Sequence, residues 1–330
     1  MNPKTIQARS PRLASGYRPE TIQRHAEMLG NRVRKVHKHL HKAFVRQQIG
    51  AYRLYDRDIP EIRAVVDWYE GHVVVGEYVR LQTLGTGWLE AMGAAVAQAL
   101  EIPSSRVHLR QRHTRPKEGE RYARLGEARE RLVVSEGDVR FWVDLDSFLD
   151  TGLFADHRLT RARVRSESRG KRILNLFAYT GSFTVYAAAG GAKATTTVDL
   201  SKRYLAWASD NLSLNKLDGP EHRLVAAEAR SFLRDASRRG DKWDLIILDP
   251  PSFSTREGLI DFDIQRDHPE LLRETLAVLA PGGQLYFSTN HQRFQAEFSG
   301  LPVKKIEDLT ASTTPIDYRG HTPHFAYLLS

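Results

Sequence analysis

The 330-residue sequence contains no cysteine. Disulfide scaffolds, cysteine-ligated zinc or iron–sulfur centres, and catalysis by a thiolate are therefore excluded. Long apolar runs are also missing, because no segment approaches the ~20 residues of a membrane-spanning helix. The first 20 residues lack the apolar stretch of a secretory signal. We therefore expect a cytoplasmic protein with no membrane attachment.

The histidines show no metal-ligand spacing. His37, His39 and His41 alternate along the chain, so on a helix their side chains are expected to point around the surface. The sequence therefore predicts no metal site.

The charge is unevenly distributed. Residues 1–50 carry 11 of the 49 basic residues and 2 of the 40 acidic ones, so the net charge of +9 arises there and the remainder balances. Such an excess favours an acidic partner such as RNA, although a solubilising tail would look the same.

Four segments are predicted along the chain. Residues 1–20 lack periodicity, which indicates a disordered basic tail. In residues 21–50 apolar side chains recur every three or four positions, which predicts a basic helix. The cations that lie mostly off this apolar face are the candidate RNA contacts: Arg32, Arg34, Lys35, Lys38, Lys42 and Arg46.

Residues 51–150 predict an α+β subdomain that binds RNA. Strands are expected at 62–69 and 72–78 around a turn at Glu70-Gly71, and at 107–112, 131–134 and 141–144, with a helix at 87–100 and a turn at 135–138. A second cationic cluster lies here, comprising Arg106, Arg110, Arg112, Arg115, Lys117, Arg121 and Arg124.

Residues 151–330 predict an α/β domain. Short apolar strands at 173–177, 195–200, 223–227, 245–248 and 284–288 alternate with helical segments, which is typical of a parallel sheet covered by helices on both faces. The boundary near residue 150 depends on this change of pattern alone.

Ligands of such sheets bind beyond the carboxyl ends of the strands. The loop after the first strand has Ala178 and Thr180 where a dinucleotide fold would have glycines, and only Gly181 remains. The loop therefore disfavours a pyrophosphate but allows a carboxylate at the helix N-terminus. Asp199 ends the second strand and is expected to bind ribose hydroxyls, although Asp199 or Ser201 could instead cap the next helix.

The third and fourth strand ends complete the predicted pocket. Glu228, followed by Ala229, could accept a hydrogen bond from an adenine amine. Asp249-Pro250-Pro251-Ser252-Phe253 is the most specific segment, because two prolines stiffen the strand exit and direct the Asp249 carboxylate into the crevice. A ligand with a carboxylate, a ribose and an adenine is S-adenosylmethionine, which we therefore expect as the cofactor.

These segments resemble a known family. DTGLFADHR (150–158), NLFAYTGSFT, TTTVDLS, LDPPSFS, FDIQRDH and LAPGGQLYFSTN are similar to the large-subunit (23S) ribosomal RNA methyltransferases of the guanine-N7 type. In many bacteria that enzyme is the carboxyl-terminal half of a bifunctional protein with a guanine-N2 methyltransferase. The resemblance covers about residues 30–330 and implies the N7 module alone, with a class I, Rossmann-like methyltransferase sheet.

The resemblance also implies site residues. Those for the cofactor are Asn175, Phe177, Tyr179, Thr180, Gly181, Asp199, Leu200 and Asp249, with Phe154, Asp156 and Arg158 at the pocket rim. This chain departs from the family at three places: Glu228 replaces an aspartate, Asn290-His291-Gln292-Arg293 has one arginine instead of a basic pair, and the carboxyl-terminal loop has Arg319, His321 and His324.

The expected reaction is methylation of guanine N7 in 23S ribosomal RNA or a large-subunit precursor. N7 has a lone pair and no proton, so catalysis is mainly positioning of a flipped or unpaired base. Asp249, Pro250, Pro251 and Phe253 are the catalytic candidates, with Phe253 as a stacking surface. Two alternatives stay open: methylation of an exocyclic amine (guanine N2 or adenine N6), and a non-catalytic ribosomal RNA-binding assembly factor.

Overall fold

The amino-terminal part of the protein is a helix-covered sheet. A computed structural model describes residues 16–112, 130–148, 150–254 and 262–330. Its first elements are α1 (Pro19–Arg46), β1 (Ala51–Asp56), β2 (Ala64–Tyr69), β3 (His72–Tyr78), α2 (Trp88–Leu100) and β4 (Val107–Arg112). The strand order is β1-β2-β3-β4, with the first three antiparallel and β4 parallel to β3. The predicted hairpin at Glu70-Gly71 is confirmed, and both turn residues have positive φ.

Helix α1 is part of the core of this sheet. Leu29, Val33, Leu40 and Phe44 are buried in one cluster with side chains of α2, β1, β2 and β3. The predicted disorder of residues 1–20 is wrong for residues 16–20, since α1 begins at Pro19 and the N–H of Tyr17 donates to the carbonyl of Gln82. Residues 1–15 lie outside the described residues.

The remaining elements form a second, larger sheet, two separate two-stranded sheets (β5 with β6, and β11 with β12) and the helices around them. They are β5 (Leu132–Glu136), β6 (Val139–Val143), α3 (Arg158–Glu167), β7 (Arg172–Leu176), α4 (Ser182–Ala189), β8 (Ala194–Asp199), α5 (Lys202–Leu214), β9 (His222–Ala226), α6 (Ala229–Arg239), β10 (Trp243–Leu248), β11 (Phe253–Ser254), β12 (Phe262–Asp263), α7 (Ile264–Leu276), β13 (Leu279–Thr289), β14 (Ile306–Asp308), α8 (Thr310–Thr313) and β15 (Phe325–Leu329).

The large sheet has the strand order β14-β15-β13-β10-β7-β8-β9. The five predicted strands, β7, β8, β9, β10 and β13, are parallel to one another, while β15 runs antiparallel to β13 and β14. The predicted α/β class is confirmed, and two strands are an addition: β15, which is antiparallel to the five, and β14, which runs in their direction at the sheet edge. From β7 the chain adds β8 and β9 on one side of the sheet and then β10 and β13 on the other side. Sheets of this kind bind ligands at the point where the strand order switches, which here lies between β7 and β10.

A further hydrophobic cluster joins the two sheets. Phe141 and Val143 of β6 pack in one buried cluster with Tyr69 of β2 and with Val185 and Tyr186 of α4. The β5–β6 hairpin therefore belongs to both halves of the molecule. The division near residue 150 remains a prediction.

Two details differ from the sequence predictions. The turn expected at 135–138 contains only Gly137-Asp138, because Ser135 and Glu136 continue β5. In the second cationic cluster, Arg110 is buried and donates to the carbonyls of Asp144 and Leu145. Four members of that cluster, Arg115, Lys117, Arg121 and Arg124, lie outside the described residues.

Within the described residues, no helix combines the length and apolar character needed to span a bilayer.

Candidate active site

Four predicted strand ends meet at the carboxyl edge of the large sheet. The ends of β10, β7, β8 and β9 are neighbours in that order, so Asp249, Phe177, Asp199 and Glu228 line one edge. Asp249 and the loop after β7 lie on either side of the point where the strand order switches. The structure therefore places the nominated segments together.

The loop after β7 has an unusual backbone. Phe177 and Tyr179 have positive φ values of 55° and 52° without being glycines, and Gly181 follows with a φ of 74°. A Cβ on Gly181 would also lie 2.7 Å from the Cβ of Ala208, so a glycine is required there. Such strained conformations persist where surrounding contacts enforce them, often at functional sites.

Asp199 holds this loop in place. Its Oδ2 accepts a hydrogen bond from the N–H of Tyr179 at 2.9 Å, and its Oδ1 accepts one from the N–H of Ser201 at 2.8 Å. The helix cap of α5 is Ser201, whose hydroxyl accepts from the N–H of Tyr204. Leu200, which is 40% exposed, follows Asp199 in the chain.

Glu228 serves as the N-cap of α6. Its two oxygens accept hydrogen bonds from the N–H groups of Arg230 at 2.8 Å and Ser231 at 2.7 Å. Ala229 is the buried first residue of that helix. The predicted contact between Glu228 and an adenine amine would therefore use the remaining lone pairs of a carboxylate that already has a structural role.

The Asp249 turn is fixed by two hydroxyls. Ser288 donates to Oδ1 of Asp249 at 2.6 Å, and Ser252 donates to the amide oxygen of Asn290 at 2.7 Å. Pro250 is buried and Pro251 is half-buried. Phe253 is 54% exposed, with its ring edge-on to His291 at a centroid distance of 5.6 Å. The turn therefore presents a positioned carboxylate next to an exposed aromatic ring.

A buried group of histidines and a carboxylate lies behind Asp249, and the sequence reasoning did not nominate its histidines. Nε2 of His157 is 3.7 Å from Oδ2 of Asp249 and 3.9 Å from Oδ2 of Asp156. Nδ1 of His324 donates to the same oxygen of Asp156 at 2.9 Å. The signal available in the sequence was the position of His157 between two nominated residues, Asp156 and Arg158.

These neighbours set the protonation of the group. Burial lowers the pKa of His157, and the nearby His324 lowers it further, while Asp249 and Asp156 act in the opposite direction. Burial would raise the pKa of Asp156, but His157 and the hydrogen bond from His324 lower it well below its usual value. His157 is therefore a neutral imidazole beside ionised Asp156 at neutral pH.

Asp156, His157 and His324 have the residue types of a metal site, and their ligand atoms lie within 4.8 Å. The two imidazole rings, however, are stacked at a centroid distance of 4.1 Å and an interplanar angle of 17°. The lone pairs of ring nitrogens lie in the ring planes, so those of parallel rings do not converge on one ion. The geometry favours a hydrogen-bonded group over a metal centre.

Four of the predicted site residues have interior roles. Asn175 is 2% exposed and donates to the hydroxyl of Thr184, and Thr180 donates to the carbonyl of Gly152 at 2.6 Å. Arg158 is 5% exposed and forms an ion pair with Asp317. Ala178 is also buried, and its N–H donates to the carbonyl of Val198. Their cofactor contacts remain predictions, and the observed hydrogen bonds and ion pair show that these residues also stabilise the fold.

Phe154 is an exposed predicted site residue that contacts the loop after β7. It is 40% exposed, and its ring lies 5.3 Å from that of Tyr179.

The predicted RNA contacts lie on α1. Arg34, Lys35, Lys38, Lys42 and Arg46 are exposed. Arg32 differs, because its guanidinium forms an ion pair with Asp58 at 2.6 Å.

The donor set at the strand ends fits S-adenosylmethionine. Asp199 is the carboxylate at this edge that we predict to bind ribose, Leu200 follows it in the chain, and the exposed Phe154 lies against Tyr179, whose N–H bonds Asp199. This fold and this edge define an enzyme that transfers methyl groups. A comparison with protein families agrees: residues 53–302 match the S-adenosylmethionine-dependent methyltransferases, and the chain belongs to that family, with S-adenosylmethionine as its cofactor.

Particular relatives are known. The chain is 42% identical over 305 residues to "Ribosomal RNA large subunit methyltransferase K" of Neisseria meningitidis, covering 89% of this chain and 84% of the relative. It is 41% identical to "Ribosomal RNA large subunit methyltransferase K/L" of Alcanivorax borkumensis, covering 92% of this chain but only 43% of the relative. The chain thus spans less than half the length of that K/L protein.

A solved structure supports the fold. A methyltransferase crystallised with SAH superposes with a TM-score of 0.75 at 24% identity, covering 93% of this chain and 82% of that one.

Proposed function

We propose that this enzyme methylates large-subunit ribosomal RNA, and that the acceptor atom is N7 of a guanine. The observation that carries the proposal is the Asp249 turn, where a fixed carboxylate and the exposed ring of Phe253 adjoin the predicted cofactor edge. The relatives, both described as ribosomal RNA large subunit methyltransferases, supply the substrate class.

S-adenosylmethionine would supply an electrophilic methyl group on a sulfonium. The chain's own residues would bind and orient. Asp199 would hold ribose hydroxyls, Phe253 would stack on an unpaired or flipped base, and Asp249 would orient that base and offset the charge of the product. N7 carries no proton, so these residues need not remove one, and positioning is the main contribution.

Ser252 supports the N7 proposal over an amine. It separates Pro251 from the aromatic Phe253 and is tied to Asn290, so the ring does not follow the prolines directly as it does in amine-methylating enzymes.

One observation favours a second candidate, methylation of an exocyclic amine such as guanine N2 or adenine N6. An amine must lose a proton, and the neutral imidazole of His157, 3.7 Å from Asp249, would accept a proton passed through that carboxylate once the contact shortens to hydrogen-bond distance.

The test is a map of modified nucleotides in 23S ribosomal RNA from cells with and without the protein. Borohydride reduction and aniline cleavage would reveal N7-methylguanosine, and mass spectrometry of digested nucleosides would reveal methylated amines. We expect one N7-methylguanosine that is absent from cells lacking the protein. It should return when the wild-type protein is restored but not when Asp249→Asn is supplied. A methylated amine instead would support the second candidate, and an unchanged map would overturn the ribosomal RNA proposal.

A further inference from the structure

A cluster of aromatic and imidazole rings lies at the junction of α1 and the small sheet. His37 and His41 of α1 stack on each other at a centroid distance of 4.4 Å. The ring of Trp68 in β2 lies 4.7 Å from that of His37 and 5.8 Å from that of His41. These three side chains are half-buried, so each keeps part of its surface in solvent.

The fold assembles this cluster from a helix spacing and a strand pair. His37 and His41 are four residues apart, so they share one face of α1 rather than spreading around it as the sequence analysis expected. Tyr52 of β1 is the direct cross-strand partner of Trp68, with ring centroids 6.0 Å apart. The buried Tyr52 hydroxyl lies within hydrogen-bond distance of both histidines, at 3.3 and 3.1 Å, which fixes the imidazole orientation.

The rings are suited to stacking. Burial, together with the neighbouring His41, lowers the pKa of His37 to about 4. His37 is therefore an uncharged ring at neutral pH, half-buried between His41 and the indole of Trp68. Base–aromatic stacking of this kind is worth about 1–3 kcal/mol per base.

Exposed cations lie on the side of α1 that adjoins the face carrying the two histidines. Lys38 and Lys42 each follow one of the two histidines and repeat their spacing of four residues, and both are exposed. Arg34 is exposed one turn earlier on the helix. This alternation of rings and cations complements a polyanion that also carries flat, unpaired bases, which is a single-stranded nucleic acid.

We propose that His37, His41 and Trp68 form a stacking platform for unpaired bases of the RNA substrate, with Lys38 and Lys42 holding the flanking phosphates. This inference rests on the proposed ribosomal RNA function and adds an RNA-binding element distinct from the strand-end site. The platform would anchor the strand while another nucleotide enters the site at Asp249.

The test separates stacking from charge. Binding of a fluorescently labelled single-stranded ribosomal RNA fragment would be measured at several salt concentrations for the wild type, His37→Ala/His41→Ala, Trp68→Leu and Lys38→Gln/Lys42→Gln. The ring variants should lose about 5- to 150-fold in affinity with an unchanged salt slope, which corresponds to one stacked base. The lysine variant should flatten the salt slope by about 1.4, or ~0.7 per phosphate.

Two matched variants serve as controls. Trp68→Phe keeps a stacking face and should retain most of the affinity. Lys193→Gln/Lys304→Gln removes two exposed charges at the opposite, amino-terminal edge of the large sheet and should leave the salt slope unchanged. Thermal unfolding of every variant shows which ones fold, and only folded variants enter the comparison.

The outcomes are distinct. Folded ring variants with wild-type affinity, or equally tight binding of a fully paired duplex of the same length, would overturn the platform. A wild type that methylates ribosomal RNA while the ring variants match it in KM would overturn the platform and leave the function intact. A wild type that neither binds nor methylates ribosomal RNA would overturn the proposed function itself.

Discussion

Nε2 of His157 faces Oδ2 of Asp249 at 3.7 Å, with the hydroxyl of Ser288 bonded to the other carboxylate oxygen. The carboxylate is thus held between a hydroxyl donor and a buried, neutral imidazole. The distance to His157 is longer than a hydrogen bond, and such contacts in ligand-free sites often tighten when the substrate binds. The role of His157 distinguishes guanine N7 from an exocyclic amine as the methyl acceptor, because only an amine has a proton to release.

Asp249→Asn should lower kcat by about a hundredfold or more, because a base misplaced by ~1 Å loses the alignment with the methyl group that the reaction needs. His157→Phe provides the discriminating measurement. If N7 is the acceptor, kcat should fall less than about tenfold, with an unchanged pH profile. If an amine is the acceptor, loss of the proton acceptor should lower kcat by about 10²–10⁴. Single-turnover rates between pH 6 and 9 for both variants and the wild type check this prediction.

Asp199→Asn should weaken cofactor binding by about 10- to 150-fold, the equivalent of about 1.5–3 kcal/mol for hydrogen bonds to a charged group. Calorimetric titration with S-adenosylhomocysteine measures the affinity. Asp235→Asn is the matched control, because Asp235 is an exposed residue of α6 that pairs with Arg238 at 3.3 Å, and it should change the affinity less than about fivefold. An Asp199→Asn variant with wild-type affinity would contradict the ribose assignment.

Glu136→Ala should lower the free energy of unfolding by about 3–5 kcal/mol, since it leaves a buried charge without its partner. The Arg161 guanidinium has no exposed surface and binds both oxygens of Glu136, at 2.8 and 2.6 Å. Asp138→Ala is the control: Asp138 pairs with Arg165 at 2.7 Å on the surface, where such a pair is worth less than about 1 kcal/mol. Urea unfolding of both variants checks the contrast.

The protein should lose stability as the pH falls from about 7 towards 4. The pKa of His37 is lowered from 6.5 to about 4, mainly by burial, so in that interval the unfolded chain binds a proton that the folded chain does not. Stability from this group is complete above pH 6.5 and is lost on acidification. His37→Phe should therefore flatten the dependence of Tm on pH, and an identical slope in that variant would refute the assignment.

The parallel strands were predictable because each is a short apolar run followed by a turn and a helix. β15 was missed although its sequence, FAYLL, is apolar, because nothing local distinguishes a terminal antiparallel strand from a loop. Glu136 was assigned to a turn on account of its polar neighbours, whereas its burial depends on a partner 25 residues away, Arg161. Contacts of this range leave no local pattern in the sequence.

For the site, the sequence located the strand ends but not their second roles. Asp249 and Asp199 are at the predicted edge, while the helix cap by Glu228 and the interior hydrogen bonds of Asn175 and Thr180 appear only in three dimensions. His324 reaches Asp156 from 168 residues away. The ring cluster on α1 was likewise hidden, because it needs Trp68 from a strand beside the helix.

The hydrophobic cluster that joins β2 to β6 and α4 leads us to expect that the two sheets unfold as a single cooperative unit. One ion pair and one hydrogen bond add to this connection: Asp317 pairs with the side chain of Arg158 and accepts from the backbone N–H of Arg53 in β1. A ligand that tightens the packing of β1 therefore shifts the same folding equilibrium that orders the loops around Asp249. Under the proposal that the small sheet holds RNA, we expect RNA binding and cofactor binding at the large sheet to be thermodynamically linked through this shared interior.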